Sequence, residues 1–367
     1  MASTTHPVLG TRSLNRATLA RQLLLSRAGM SPEDAVAHLV GLQAQNVKPP
    51  YYQLHARLAG FGPGVLAGLM ESREVVRMVT MRSTIHTHTA HDALTLRPLV
   101  QPARDREVGY FRKGLVGVDL VRLADRARNF VEEEPRTMGE IRAELLRAWP
   151  AADPQSLSVA ARCLLPLVQV TPRGVWGRSG QVRLTTVERW LGSNADAVRA
   201  PQAVDDVVLR YLGAFGPASV KDMQTWAGLT RLRPAFERLR PRLLVFRDDS
   251  GVELFDLPDA PRPDADTPAP PRFLPEFDNL LLSHGDRARV VAPEHKGRAW
   301  TGNQSHCTLL VDGFLAGLWR TEGDGLVVDL FGTHPRGVEE EIVAEGEALL
   351  AGMGRGPGPV RFGSIHG

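Results

Sequence analysis

The chain has 367 residues, more than one hydrophobic core usually organises, so several small domains are expected. A formal net charge of +3 and a pI near 9.1 permit a nucleic-acid partner, but any positive surface has to come from placement rather than excess. The two cysteines, Cys163 and Cys307, make neither a disulfide framework nor a CxxC or zinc cluster, which points to a reducing compartment and no structural metal.

No apolar stretch approaches a membrane span and the N-terminus lacks a signal-peptide core, so a cytoplasmic protein without a membrane partner is expected. Of 44 basic residues only Lys48, Lys113, Lys221 and Lys296 are lysines. Such an arginine bias can arise from a GC-rich coding sequence, yet it supplies many planar donors suited to phosphate.

In chain order, helices are expected over 13–25 and 32–45. Ser31 caps the second, Pro32 suits its first turn, and Ala35, Val36, Leu39, Val40 and Leu42 form its buried stripe. On this reading Gln43 and Gln45 ride on the last turn before Pro49-Pro50 forbids continuation. Two glutamines so spaced do not share a helix face, and their spacing alone suits two surface positions. Short helices over 52–58 and 65–71 precede an alternating stretch, 75–89, that reads as a strand pair.

A helix over 120–131 leads to Pro135-Arg136-Thr137-Met138-Gly139-Glu140-Ile141, and one over 204–212 to Pro217-Ala218-Ser219-Val220-Lys221-Asp222-Met223. Both runs place a hydroxyl cap three residues ahead of a carboxylate. Each is followed by a further helix and a hairpin, with strands at 167–171 and 181–185 in the first copy and 243–246 and 252–255 in the second. Helices followed by a hairpin make the winged-helix plan, and the N-terminal segment fits it as well, giving three at a period of roughly 80 residues. A Pro- and Asp-rich connector, 258–271, introduces a small α+β unit. Its strands 308–311 and 314–319 join at Asp312-Gly313 and precede a strand at 326–331, a helix at 338–353 and a strand near Val360.

Three segments carry a resemblance: Leu42-Gln43-Ala44-Gln45, Phe273-Leu274-Pro275-Glu276-Phe277-Asp278-Asn279-Leu280-Leu281-Leu282-Ser283-His284-Gly285-Asp286-Arg287, and Asp312-Gly313-Phe314-Leu315-Ala316-Gly317-Leu318-Trp319. Together they resemble the winged-helix DNA glycosylases of the azinomycin-resistance type (AlkZ-like), related to bacterial glycosylases that unhook interstrand crosslinks. The resemblance implies an α+β protein of tandem winged helices with a C-terminal β-barrel-like domain. The expected domains are 1–117 with the catalytic Gln-x-Gln, 118–200, 201–257, the connector 258–271, and 272–367.

The resemblance also gives the glutamines a task. A purine alkylated at N7 already carries positive charge, so its glycosidic bond breaks without a strong general acid. What remains is to hold a water on the far face of the sugar and to stabilise developing positive charge, which side-chain carbonyl oxygens can do. Gln43 and Gln45 are therefore the expected catalytic pair. Relatives outside the azinomycin-resistance type often carry Gln-x-Asp, and Gln45 places this chain nearer the self-resistance enzymes. An open groove would then tolerate bulky adducts that a tight base-flipping pocket excludes.

His86 and His88 share one strand face, but no third ligand is signalled, so a wing carrying Arg82, His86 and His88 toward DNA is the better account than a metal site. Arg178 and Arg183 beside the middle wing, and His284, Arg287 and Arg289 after a Leu280-Leu281-Leu282 strand, are further expected phosphate contacts, although such clusters are usually just solvated faces. Gly60-Phe61-Gly62-Pro63-Gly64 is no dinucleotide fingerprint, no phosphate loop occurs, and Asp105, Glu107 and Glu132-Glu133-Glu134 look like solvated helix positions, so no cofactor is implied. The expectation is a monomeric, monofunctional glycosylase acting on double-stranded DNA that carries bulky alkylated guanine or crosslinks, with a resistance role. The competing expectation is a non-catalytic winged-helix regulator or drug-sequestering protein, against which stands the lack of a heptad seam for dimerisation.

Overall fold

The computed structural model describes residues 6–192, 202–356 and 358–365; the end of the expected 118–200 segment, 193–200, lies outside them. The fold is mixed α+β. Contacts divide the chain into two compact units: one is the chain up to Val65 with Asp205–Trp226 and everything from Thr230 onward, the other Leu66–Val204 with Ala227–Leu229.

In the first unit, Leu19, Leu24 and Ala56 share a core with Leu274, Leu280, Leu310 and Leu315, so helices Thr11–Arg21 and Pro49–Arg57 are built onto the C-terminal region. The sheet there runs Val360–Phe362, Gly325–Leu330, Phe314–Glu322, Cys307–Val311, Arg272–Leu274. All its pairs are antiparallel except that of Gly325–Leu330 with Val360–Phe362, which helix Arg336–Gly352 connects. Among the described residues this sheet stays open, where a barrel-like closure was expected. The Asp312-Gly313 turn forms as anticipated, with both residues at positive φ (47° and 80°), the type I′ signature. Gly313 is also required by packing: a Cβ there would lie 2.5 Å from Leu19 Cδ1, and its carbonyl accepts from Asn15 Nδ2 at 2.8 Å.

Helices Val204–Phe215, Val220–Ala227 and Arg233–Leu239 precede the hairpin Leu244–Arg247/Glu253–Asp256. Ser219 and Asp222 close a reciprocal cap, with Asp222 N–H donating to Ser219 Oγ at 3.1 Å and Ser219 N–H to Asp222 Oδ2 at 2.8 Å. Tyr211, Phe215 and Trp226 pack their rings together, with centroids 5.0 to 5.6 Å apart.

In the second unit, helices Leu120–Glu133, Met138–Ala148 and Pro154–Leu164 enclose Leu123, Ala127, Ile141, Leu145 and Leu157, and Thr137 with Glu140 forms a complete capping box. The hairpin that follows, Leu167–Gln169/Leu184–Thr186, pairs with the earlier one, Val75–Val79/Ile85–Thr89, through Arg77↔Gln169 and Met78↔Val168. Two hairpins assigned to different winged helices thus merge into one sheet, with Val75–Val79 inside it.

Candidate active site

Ser31 caps helix Pro32–His38 as expected, its Oγ accepting from Asp34 N–H at 3.0 Å, but the helix stops seven residues short of the expected end at 45. Gly41 N–H donates to Val36 O at 2.9 Å and Val40 N–H to Ala37 O at 3.1 Å, a Schellman closure with Val40 at φ 56° and Gly41 at φ 92°. A β-branched residue in the left-handed region is strained, and its use here turns the chain sharply into the short strand Leu42–Gln43. Pro49 and Pro50 then start helix Pro49–Arg57 rather than end the earlier one. Leaving the helix removes the helix-face objection to the glutamine spacing: Gln43 ends the short strand and Gln45 stands in the bend that follows. Gln43 is buried, with 3% of its surface exposed, and Gln45 is exposed.

The backbone of this loop is clamped by side chains from two directions. Asn279 Nδ2 donates to Gly41 O at 2.7 Å, and Gln43 N–H makes a longer contact, 3.4 Å, to Asn279 Oδ1. Gln53, one turn into the following helix, donates from Nε2 to Gln43 O at 2.9 Å. Behind them Arg57 forks onto Asp278 with bonds of 2.9 and 2.7 Å, both side chains fully buried. Asp278 also caps the short turn Asn279–Leu281 by accepting from Leu280 N–H at 3.0 Å. The expected Leu280-Leu281-Leu282 strand is therefore a 3-10 turn, wound so that Asn279 reaches back to the loop. A carboxylate completes the surroundings: Glu276 accepts from Asn46 Nδ2 at 2.9 Å and from Cys307 Sγ at 3.1 Å. Burial, reinforced by Glu276, holds the Cys307 thiol far above its ordinary pKa, so it stays protonated as the donor in that contact.

The expected DNA contacts divide. Arg178 is exposed and pairs with Glu71 at 2.9 Å; Arg183 lies against Pro135 O and Glu134. Arg82 is half-buried, in the left-handed region (φ 52°), and Arg287 is half-buried near Trp300. His86 and His88, by contrast, are fully buried. They lie opposite Met78 and Val76 in the strand register, on the face that joins the core formed with Val168 and Val187. Burial, with Arg82 nearby, pushes His86 far below the ordinary histidine pKa, and Thr80 Oγ1 meets His88 Nε2 at 2.9 Å. The two histidines do share a strand face, but both faces of this strand are covered, with Thr87 and Arg77 buried on the other side. His284 and Arg289 are likewise internal, at 2% and 7% exposure. His284 Nε2 meets Phe215 O at 3.0 Å, and Arg289 donates to Thr18 Oγ1 at 3.1 Å and Pro217 O at 2.8 Å. These two hold the fold where a solvated, phosphate-facing cluster was expected. Asn279, Asp278, Gln53, Arg57 and Glu276 went unassigned in the sequence, although three of them stand in the 273–287 motif.

The backbone that carries Gln43 is thus held from both sides, and the Glu276 carboxylate stands at the Asn46 end of the same loop. The chain belongs to the AlkZ-like DNA glycosylase family, which matches residues 36–351. It is 25% identical to the interstrand DNA cross-link repair glycosylase of Streptomyces sahachiroi over 94% of this chain and 96% of that protein. The solved structure of S. sahachiroi DNA glycosylase AlkZ has the same fold: TM-score 0.80 at 21% identity, covering 97% of this chain and all of the other. No helix among the described residues is long and apolar enough to cross a membrane.

Proposed function

We propose that this protein is a monofunctional, monomeric DNA glycosylase that hydrolyses the N-glycosidic bond of bulky N7-alkylguanine in double-stranded DNA. We extend the proposal to interstrand crosslinks, by analogy with its S. sahachiroi relative, a cross-link repair glycosylase, and to resistance against a DNA-alkylating natural product. The observation that carries it is the clamp on the Gln43 backbone by Asn279 and Gln53, which presets the Gln-x-Gln loop before substrate arrives. Its three helix–hairpin segments are read as winged helices, with the exposed or half-buried Arg82, Arg178 and Arg287 as phosphate contacts.

In this mechanism the bond from N9 to C1′ breaks with its electron pair leaving on the base, which departs neutral because N7 was already alkylated. Gln43 and Gln45 hold a water against C1′ by accepting its hydrogens and face the oxocarbenium-like sugar with their carbonyl dipoles. The water oxygen bonds to C1′ and its proton passes to solvent by way of Glu276, the carboxylate fixed at Asn46. The products are an abasic site and the free adducted guanine.

The decisive experiment is single-turnover excision from duplexes carrying one defined N7-guanine adduct, with wild type and the Gln43→Ala and Gln45→Ala variants. Abasic sites should form with wild type, and each variant should be slower by about 10²-fold, the scale of one lost preorganised electrostatic contact. Wild-type rates in the double variant would remove the assignment. Strong binding to one palindromic sequence without excision would replace the enzyme by the regulator.

A further inference from the structure

Next to the segment that clamps the glutamine loop lies a cavity of about 650 Å³ that the mechanism does not use. Its walls are mostly apolar, from Leu281, Val291, Pro293, Ala299 and Trp300, and two cations, Arg287 and Lys296, reach it. The volume falls in the range of small-molecule sites, roughly 300–1,000 Å³. Leu281 belongs to the turn that presents Asn279, and the Trp300 ring meets Phe277 edge-on at 5.7 Å, so the cavity and the catalytic loop share one supporting segment.

Arg287 is the informative residue. Its guanidinium is half-buried 5.5 Å from the Trp300 ring centroid, and among the described residues no carboxylate pairs with it. Asp286, which also lines the cavity, is turned to its own backbone and accepts from Ala288 N–H at 3.0 Å. A cation partly withdrawn from water without a counter-charge costs free energy unless an anion arrives to complete it. Lys296, exposed on the same rim, adds a second positive charge.

We propose that this cavity is a nucleotide site that takes one unit of a nucleic-acid strand, its base along the apolar wall and its phosphate on Arg287 and Lys296. An anion alone would leave the apolar wall unused, and an uncharged aromatic would leave Arg287 uncompensated. The wall is mostly dispersion and stacking surface, which suits any base. The site deepens the glycosylase reading by adding a second grip on the strand whose lesion faces Gln43 and Gln45, but it stands whichever bond is cut.

The test is calorimetric titration of the intact protein with deoxythymidine monophosphate, thymidine and inorganic phosphate. The monophosphate should bind, each of the other two about tenfold or more weaker, and Arg287→Gln should weaken it by about tenfold, the value of one charge-assisted contact. Lys296→Gln, at an exposed position, should weaken it too and serves if Arg287→Gln does not fold; Arg320→Gln, at an exposed position paired with Glu322, should leave it unchanged. Inorganic phosphate binding as tightly as the nucleotide, or nucleotide affinity indifferent to both Arg287→Gln and Lys296→Gln, would overturn the inference. Single-turnover excision by wild type on the adducted duplex separates the two proposals: excision without nucleotide binding sinks only the cavity, and nucleotide binding without excision sinks only the glycosylase.

Discussion

Replacing Asn279 with Ala removes one side chain and its contacts to two buried backbone groups. Gly41 O loses a 2.7 Å bond from Asn279 Nδ2, and Gln43 N–H loses its longer 3.4 Å contact. An unsatisfied buried polar group costs about 1–3 kcal/mol, and the longer contact adds little, so a loss of about 2 kcal/mol is expected. Urea denaturation would read that loss as a lower midpoint at unchanged slope. Because Gly41, two residues before Gln43, then loses its side-chain anchor, single-turnover excision should fall by about 10–100-fold even well below the unfolding temperature if the loop acts as proposed, the scale of a displacement near 1 Å. A variant that loses the stability yet excises at the wild-type rate would show that Asn279 does not position Gln43. One that loses neither would show that these bonds do not hold the loop in solution.

Arg57→Met should cost about 3–5 kcal/mol in the same denaturation experiment, since it leaves the fully buried Asp278 carboxylate without its guanidinium partner; a loss under about 1 kcal/mol would refute the clamp. Glu276→Gln keeps an acceptor for Asn46 but removes the charge, so excision should slow by roughly tenfold or more while duplex affinity holds; an unchanged rate would take Glu276 out of the proton's path. Activity should survive a strong chelator and vary little between about pH 6 and pH 8, because glutamine does not titrate there; a rate that follows one histidine-like ionisation would reopen the roles given to His86 and His88. Stability should behave otherwise. Burial depresses His55 to about 4 and His284 to about 3, so both are neutral in the fold while the unfolded chain takes up their protons near 6.5. Their contribution is complete above about pH 6.5 and is lost as the pH falls toward 4, each by about 1.4 kcal/mol per pH unit, and a midpoint flat from pH 6.5 to 4.5 in urea titrations would contradict that burial.

Elements whose cause is local were legible. Ser31 and Pro32, the Thr137 and Glu140 box, the Asp312-Gly313 hairpin and the period-two strands all act within a few residues, and each formed where its chemistry placed it. Legibility ended where the cause is tertiary. The helix bearing Val40 ends on a left-handed valine, a position where glycine or asparagine is the readable signal. Alternation showed that His86 and His88 share a face but not that both faces of their strand are covered, because the sheet is completed by a second hairpin pairing through Met78↔Val168, about 80 residues further along. His284 and Arg289 read as surface charges because their partners, Phe215 O and Pro217 O, are backbone atoms of a distant turn. The glutamines were found through the resemblance; of the residues that grip their loop, Asn279 stands in the 273–287 motif without a readable task, and Gln53 carries no pattern of its own.

That grip has a consequence for how the protein is made. Gln43 and Asn279 are 236 positions apart, and the second unit is threaded between them. At about 5–20 residues per second, roughly 10–50 s pass between synthesis of the loop and synthesis of the residue that fixes it. For that interval the strained Val40 turn has no Asn279 to hold it, and the N-terminal helices lack the C-terminal half of their core. A nascent chain or an N-terminal fragment should therefore be inert, so the ribosome releases this activity all at once, only after its final third has been translated.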